Sequence, residues 1–305
     1  MFQFKEKQKI VDIGGVKVGG QPGEVPTVII SSIFYLGHKI VSDEKRGVFD
    51  KKKAEELIKN NERLSDLTGN PFMLEIVAQT EEALIRLIDF TAETTDAPFL
   101  LSAISSNVLM SGAQHVAEVG LQDRIVYSSI PKGTTSKELE AIKNSGIKAA
   151  ILLGRNPMDE TTAKGKVDVV KDILKLSEKA KIEKPLIDVA TEGWGVDMGI
   201  AARAIYLIKS TYGWPVGIGT GNVTTTFDWA RTNVAKCDRR ACYGAVHAIM
   251  QILGADFIMH GPIEQANYVF PTIAMTDTYI LTAMGELGIE PLEEGHHPLF
   301  NLITY

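Results

Sequence analysis

A chain of 305 residues, 45% hydrophobic and 23% charged, has the material for a sizeable core, which excludes a disordered polypeptide. Its formal net charge of −6 excludes nucleic acid or an anionic membrane surface as the main partner, since neither attracts an acidic field. No apolar run reaches the roughly 18–20 residues of a membrane span, the first residues lack a signal-peptide core, and the two cysteines, Cys237 and Cys242, make no disulfide framework; a cytoplasmic enzyme without membrane insertion is expected.

In chain order, segment 10–24 carries Gly14-Gly15, Gly19-Gly20 and Gly23 in short polar stretches that read as turns, so residues 1–26 are expected to form an N-terminal hairpin. Apolar runs of strand length follow at 27–34 (TVIISSIF), 72–77 (FMLEIV), 99–104 (FLLSAI), 124–130 (RIVYSSI), 149–153 (AAILL), 185–189 (PLIDV), 216–219 (VGIG) and 256–260 (DFIMH). Continuous apolar runs bounded by Gly, Pro or polar residues fit parallel strands covered on both faces. Helical patterns lie between them at 51–66, 81–94, 107–119, 136–144, 166–181, 199–211, 235–253 and 266–285, with Asp50, Thr80 and Ser136 as N-caps. Eight strands alternating with eight helices over about 260 residues predict a (β/α)8 TIM barrel rather than an open doubly wound sheet. The first strand also lacks the glycine-rich turn of a dinucleotide site. With no Pro- or Ser-rich linker in the chain, residues 1–305 are expected to be a single domain, the hairpin closing the barrel bottom.

In such a barrel the chemistry sits at the C-terminal strand ends and the loops after them. That rule selects Glu75 on strand two, Ser102 and Ser105 on strand three, Tyr127, Ser128 and Ser129 on strand four, and residues 155–159 after strand five. Asp188, Thr191, Glu192 and Trp194 follow on strand six, Asn222 on strand seven, and His260 with Glu264 on strand eight. Asp188 stands foremost, because a carboxylate within an apolar run must face the mouth or bear a large desolvation cost. It either caps a loop or grips a ligand that presents two adjacent N–H donors, which a carboxylate accepts in parallel. Asn222 either touches the ligand with its amide or forms an Asx-turn before the next helix. His38 either faces the mouth or caps a helix, whereas His115 and His247 lie within helical patterns and read as surface or core. Without CxxC, HExxH or a His cluster beyond His296-His297, no metal site is expected.

Five stretches taken together carry a family likeness: 19–24 (GGQPGE), Phe34-Tyr35 with 38–41 (HKIV), 67–71 (LTGNP), 185–189 (PLIDV) and 261–264 (GPIE). The combination resembles the H subunit of tetrahydromethanopterin S-methyltransferase and the related corrinoid-protein:tetrahydrofolate methyltransferases, from residue 1 to about residue 300. The resemblance implies a TIM barrel of the pterin-binding methyltransferase type. It also implies a homodimer that moves a methyl group between a corrinoid protein and a reduced pterin, tetrahydrofolate or tetrahydromethanopterin. The corrinoid would come with the partner protein. Pterin contacts are implied at Ser102, Ser128, Asp188 and Asn222, with Asp188 clamping the pyrimidine edge, Asn222 hydrogen-bonding near N5, and Glu75 lining the site. In the wider family the first two positions are Asp and Asn; here both are shorter hydroxyls. Two alternatives remain open on these residues. One is a methyltransferase passing a methyl group from another small donor to the corrinoid protein; the other is a non-catalytic docking subunit of a methyltransferase complex.

Overall fold

The computed structural model describes residues 2–155, 162–191, 197–221, 227–293 and 295–303. The first element is an antiparallel hairpin, β1 (Ile10–Ile13) with β2 (Val16–Gly19). Gly14 and Gly15, at φ of 53° and 87°, supply the two left-handed positions of its two-residue turn. Alternation turns Val11, Ile13 and Val18 to one side, where they are buried with Val28, Ile30, Met73, Leu100 and Val126 inside the barrel.

The apolar runs become β3 (Val28–Ile33), β6 (Phe72–Ala78), β7 (Phe99–Ala103), β8 (Ile125–Pro131), β9 (Ala149–Leu153), β10 (Lys184–Asp188), β11 (Val216–Gly219) and β12 (Phe257–Pro262), paired in parallel and closed by β12 against β3. Each strand buries one face inward and the other beneath helices, which is why the runs are continuous rather than alternating. A second short hairpin, β4 (Val41–Asp43) with β5 (Val48–Phe49), interrupts the connection after β3. Strands of three and two residues leave no periodic signal, so the sequence does not announce it.

The helical layer comprises α1 (Lys51–Thr68), α2 (Glu81–Thr94), α3 (Ser106–Val119), α4 (Ser136–Ser145), α5 (Ala163–Lys179), α6 (Met198–Tyr212), α7 (Asp228–Asn233), α8 (Arg239–Ile252), α9 (Ala266–Gly285) and α10 (Pro298–Leu302). Asp50 and Thr80 cap α1 and α2 as expected, accepting from Lys53 N and Ala83 N. Three expectations need correction. Thr135, not Ser136, caps α4, its hydroxyl accepting from Glu138 N at 3.2 Å. The helix expected at 235–253 starts four residues later, α8 beginning at Arg239, and a separate short helix, α7, precedes it and ends at Asn233. The helix expected from 166 begins at Ala163 behind Thr162, whose hydroxyl accepts from Gly165 N, and so brings Lys166 into its first turns.

The LTGNP stretch has a structural role. Buried Asp277 of α9 accepts from Thr27 N and Oγ1, from the Asn70 amide at 2.7 Å and from Gln251 Nε2 at 2.8 Å, tying α9, α8 and the loop before β6 to the start of β3. Burial pushes this carboxyl up to about 6, against the pull of its four donors. No helix of the described residues is long and apolar enough to cross a membrane.

Candidate active site

Strand parity sorts the candidates. Ile30, Met73, Leu100, Val126 and Leu186 fill the barrel interior, so Ser32, Glu75, Ser102, Ser128 and Asp188, two residues further along their strands, face inward at the mouth. Register links them around the rim: Ser32 pairs with Glu75, Ser102 with Ser128, and Leu153 with Asp188. A bulge between Ser128 and Ile130 lets β8 turn from its neighbour immediately after Ser128. Ser102 and Ser128 are half-buried.

Asp188 is the most perturbed group of this ring. It is 6% exposed, and burial raises its carboxyl from 3.8 to about 6, helped by the charge of Glu75. Working against the rise are N–H donors from Ala190 (2.9 Å to Oδ1) and Gly219, and the positive charge of Lys166. Lys166 is itself buried and donates to Val189 O at 3.0 Å and Ala190 O at 2.9 Å. Those two carbonyls belong to a turn in which Ala190 adopts φ of 47°, a left-handed conformation that L-residues seldom hold without support. Lys166 therefore secures the turn that supplies one of the carboxylate's backbone donors. On the other side, Asp188 neighbours Gly217 on β11, where a Cβ would collide with the Phe257 carbonyl and ring; Gly219 stands one layer higher, with only the Met259 methyl within 4 Å. Side-chain-free backbone at Gly219 beside a carboxylate suits a flat ligand edge carrying two N–H donors.

The opposite rim holds an unanticipated cluster. Glu75 accepts a 2.5 Å hydrogen bond from Ser32 Oγ. Above it, the Tyr35 hydroxyl donates to Glu264 at 3.1 Å, and the Tyr35 ring stacks on His38 with centroids 4.4 Å apart. His38 Nδ1 accepts from Phe34 N at 3.0 Å, which leaves Nε2 to face Glu264 Oε1 at 3.1 Å. Burial alone would raise the Glu264 carboxyl, but nearby His38, its own backbone N–H and the Tyr35 hydroxyl bring it below its usual value. His38 thus serves its own loop and Glu264, and caps no helix.

Other candidates separate from the mouth. Tyr127 points outward and donates to Glu138 at 2.7 Å. Ser105 caps α3, accepting from Val108 N. His260 lies behind the wall, its Nε2 2.7 Å from Ser31 Oγ, and burial holds it down to about 3. His247 is equally enclosed beside Thr220 at 3.0 Å, held down to about 4 by burial. Thr191 donates to Asp197 at 2.7 Å. Asn222, together with residues 156–159, Glu192 and Trp194, lies outside the described residues. Among the described residues no group of His, Cys, Asp and Glu could hold a metal ion. Ser32 and Lys166 are not among the residues the strand-end rule selects, yet each carries a signal in the sequence. Ser32 shares the inward parity of Val28 and Ile30, while Lys166 stands on the buried stripe of Val170 and Ile173.

Comparison with known proteins supplies an independent line. The family model described as "Tetrahydromethanopterin S-methyltransferase MtrH subunit" matches residues 6–292. Relatives named as the H subunit of tetrahydromethanopterin S-methyltransferase include that of Methanothermobacter thermautotrophicus, 42% identical over 99% of this chain and 100% of its own length. Those of Methanosarcina barkeri and Methanocaldococcus jannaschii are 39% and 38% identical, each over 99% of this chain and 100% of the relative. Among solved structures, Yersinia pestis dihydropteroate synthase superposes with a TM-score of 0.61 at 12% identity, covering 88% of this chain and 98% of that one. Xanthomonas albilineans dihydropteroate synthase, solved with 4-aminobenzoic acid, gives 0.58 at 16% identity, covering 94% and 100%. At these identities the structural likeness speaks for the shared barrel alone.

Proposed function

The chain belongs to the MtrH family of tetrahydromethanopterin S-methyltransferase subunits, and on that footing we propose that it moves a methyl group between a reduced pterin and a corrinoid protein. The observation that carries the residue-level reading is Asp188: a buried, inward-facing carboxylate with backbone N–H donors from Ala190 and Gly219 and the charge of Lys166 nearby. Its remaining lone pairs clamp the N3–H and amino group of the pterin's pyrimidine edge. Ser102 and Ser128 hydrogen-bond the ring from the neighbouring strands, directly or through water, and Glu75 lines the far side under the control of Ser32. Asn222, assigned from the sequence pattern alone, hydrogen-bonds near N5.

The partner's corrinoid cobalt supplies the nucleophile for the methyl group or, in the reverse direction, delivers it. What remains for this chain is to orient N5 towards the open mouth and to stabilise the charge that changes there, work that needs neither a covalent nucleophile nor a metal of its own. The assay is anaerobic mixing of the chain with N5-methyl-tetrahydromethanopterin and a reduced corrinoid protein. Loss of the cobalt(I) absorbance at a rate that depends on the chain supports the reading. Pterin binding without transfer favours a docking subunit. Transfer from another methyl donor with no pterin binding favours the substrate-specific alternative, to which the hydroxyls at 102 and 128 would then belong.

We place this activity in the cytoplasm and assign the chain to a homodimer. Between Ala241 and Ile252 α8 carries no Asp, Glu, Lys or Arg, and the one charged residue of α9, Asp277, is buried. Ile249, Ile252, Met275 and Tyr279 of these adjacent helices are nevertheless exposed, Tyr279 at 62%. An uncharged two-helix face of this kind is what a second copy covers. Sedimentation at micromolar concentration should give a dimer for the parent chain and a monomer for Tyr279→Glu; a monomeric parent would contradict the assignment.

A further inference from the structure

Beside the mouth, on the side of β3, β6 and β7, lies a pocket of about 140 Å³ lined chiefly by Phe34, Leu36, Phe49, Val77, Leu87 and Ile104. The hairpin β4–β5 forms its outer wall, an element that the barrel itself does not require. Its polar neighbours are occupied with one another: the Gln79 amide donates to Glu44, which also accepts from Gly37 N at 2.8 Å. What remains is apolar, and two of its flanks are the most exposed large apolar side chains of the described residues, Leu36 at 73% and Ile104 at 77%. Phe34 reaches the pocket from a left-handed backbone conformation, φ of 62°, with its ring 4.5 Å from that of Phe49. A bulky residue held there is a costly arrangement that ordinary packing does not need. The pocket also adjoins the candidate site, because Val77 stands opposite Ser102 in register and Phe34 follows Ser32 by two residues.

We propose that this pocket is the subsite for the aromatic ring on the side chain of the pterin substrate, with Leu36 and Ile104 closing on the ring's two faces. The proposal rests on the reading that a reduced pterin occupies the mouth. Its size suits one ring: an apolar cavity of about 150 Å³ accepts benzene. Tetrahydrofolate and tetrahydromethanopterin both bear an arylamine on a short linker from the pterin ring. A pterin clamped at Asp188 and lying across Ser102 and Ser128 directs that linker towards the rim. Two apolar side chains otherwise left in water gain a partner, and the hairpin gains a purpose.

The test crosses two ligands with the variants Leu36→Ser and Ile104→Ser, which alter exposed positions and leave the core alone. N5-methyl-tetrahydromethanopterin carries the ring; 6-methyltetrahydropterin lacks it. Each substitution should weaken the arylated ligand about tenfold by removing roughly half of the ring's apolar cover, and leave the affinity for 6-methyltetrahydropterin within about twofold. Equal weakening of both ligands, or of neither, would overturn the proposal. So would intact binding of both ligands with slowed transfer to the corrinoid protein, which would reassign the two side chains to the partner's docking. Asp188→Asn serves as the separate control on the mouth. If it leaves 6-methyltetrahydropterin binding untouched while the serine variants still discriminate, the clamp reading fails and the ring pocket stands. If the parent chain binds neither ligand, both fall.

Discussion

Replacing Asp188 by Asn should separate stability from binding. Burial raises this carboxyl from 3.8 to about 6, so the folded protein holds the proton more tightly than the unfolded chain does. Stability from this group is present in full below about pH 4, is lost as pH rises through about 6, and stays lost above; a shift of about two units amounts to about 3 kcal/mol. Asparagine never takes on that charge. It does leave one of the two backbone donors, Ala190 N or Gly219 N, facing an amide NH2, which costs about 1–3 kcal/mol. The balance near pH 8 is therefore between about zero and 2 kcal/mol in favour of the variant, and it turns to about 1–3 kcal/mol against the variant as pH falls towards 4. Pterin affinity moves the other way. Losing a charge-assisted pair worth roughly 1.5–3 kcal/mol weakens binding by about tenfold to 150-fold. Calorimetric titration with N5-methyl-tetrahydromethanopterin and thermal denaturation from about pH 4 to 8 measure both. A variant that melts lower near pH 8 would mean that the carboxylate is a structural loop cap. A folded variant with unchanged affinity would remove Asp188 from the pterin site.

Three further outcomes follow from the same contacts. Lys166→Met removes a charge that lowers the Asp188 carboxyl, so the acid limb of pterin binding should move to higher pH; a folded variant with an unmoved limb contradicts the role given to Lys166. Ser102→Asp with Ser128→Asn restores the wider family's side chains at the open mouth and should tighten the reduced pterin while methyl transfer persists. Weaker pterin binding together with lost transfer from a different donor would assign both serines to that donor. Asp277→Ala strands the Thr27, Asn70 and Gln251 donors and should lower unfolding stability by about 3–5 kcal/mol in a denaturant titration, with a change under about 1 kcal/mol refuting the clasp.

The barrel is legible in the sequence because its strands are buried on both faces: each of the eight apolar runs forms a strand, with ends displaced by one or two residues at most. Inward parity also follows from the runs, since Asp188 two residues past Leu186 can only face the mouth once Leu186 faces the core. What stays hidden depends on closure. Tyr35 and His38 meet Glu264 across 229 and 226 residues of chain because β12 pairs with β3, a contact that no local spacing encodes. Lys166 is hidden differently. Its helix starts three residues earlier than the apolar pattern suggests, because Thr162 and Gly165 set the cap, and a lysine at the edge of an apolar stripe reads as the exposed start of the helix. The hairpin β4–β5 is too short to register, yet it walls the rim pocket.

The most direct test of the pterin site is a crystal structure of the chain with N5-methyl-tetrahydromethanopterin. The pyrimidine edge should lie on Asp188 within hydrogen-bond distance of both carboxylate oxygens, the ring should cross Ser102 and Ser128, and the methyl group should point out of the barrel mouth towards a docked corrinoid. Density for the pterin outside the mouth, or within it with Asp188 untouched, would contradict the assignment at its centre.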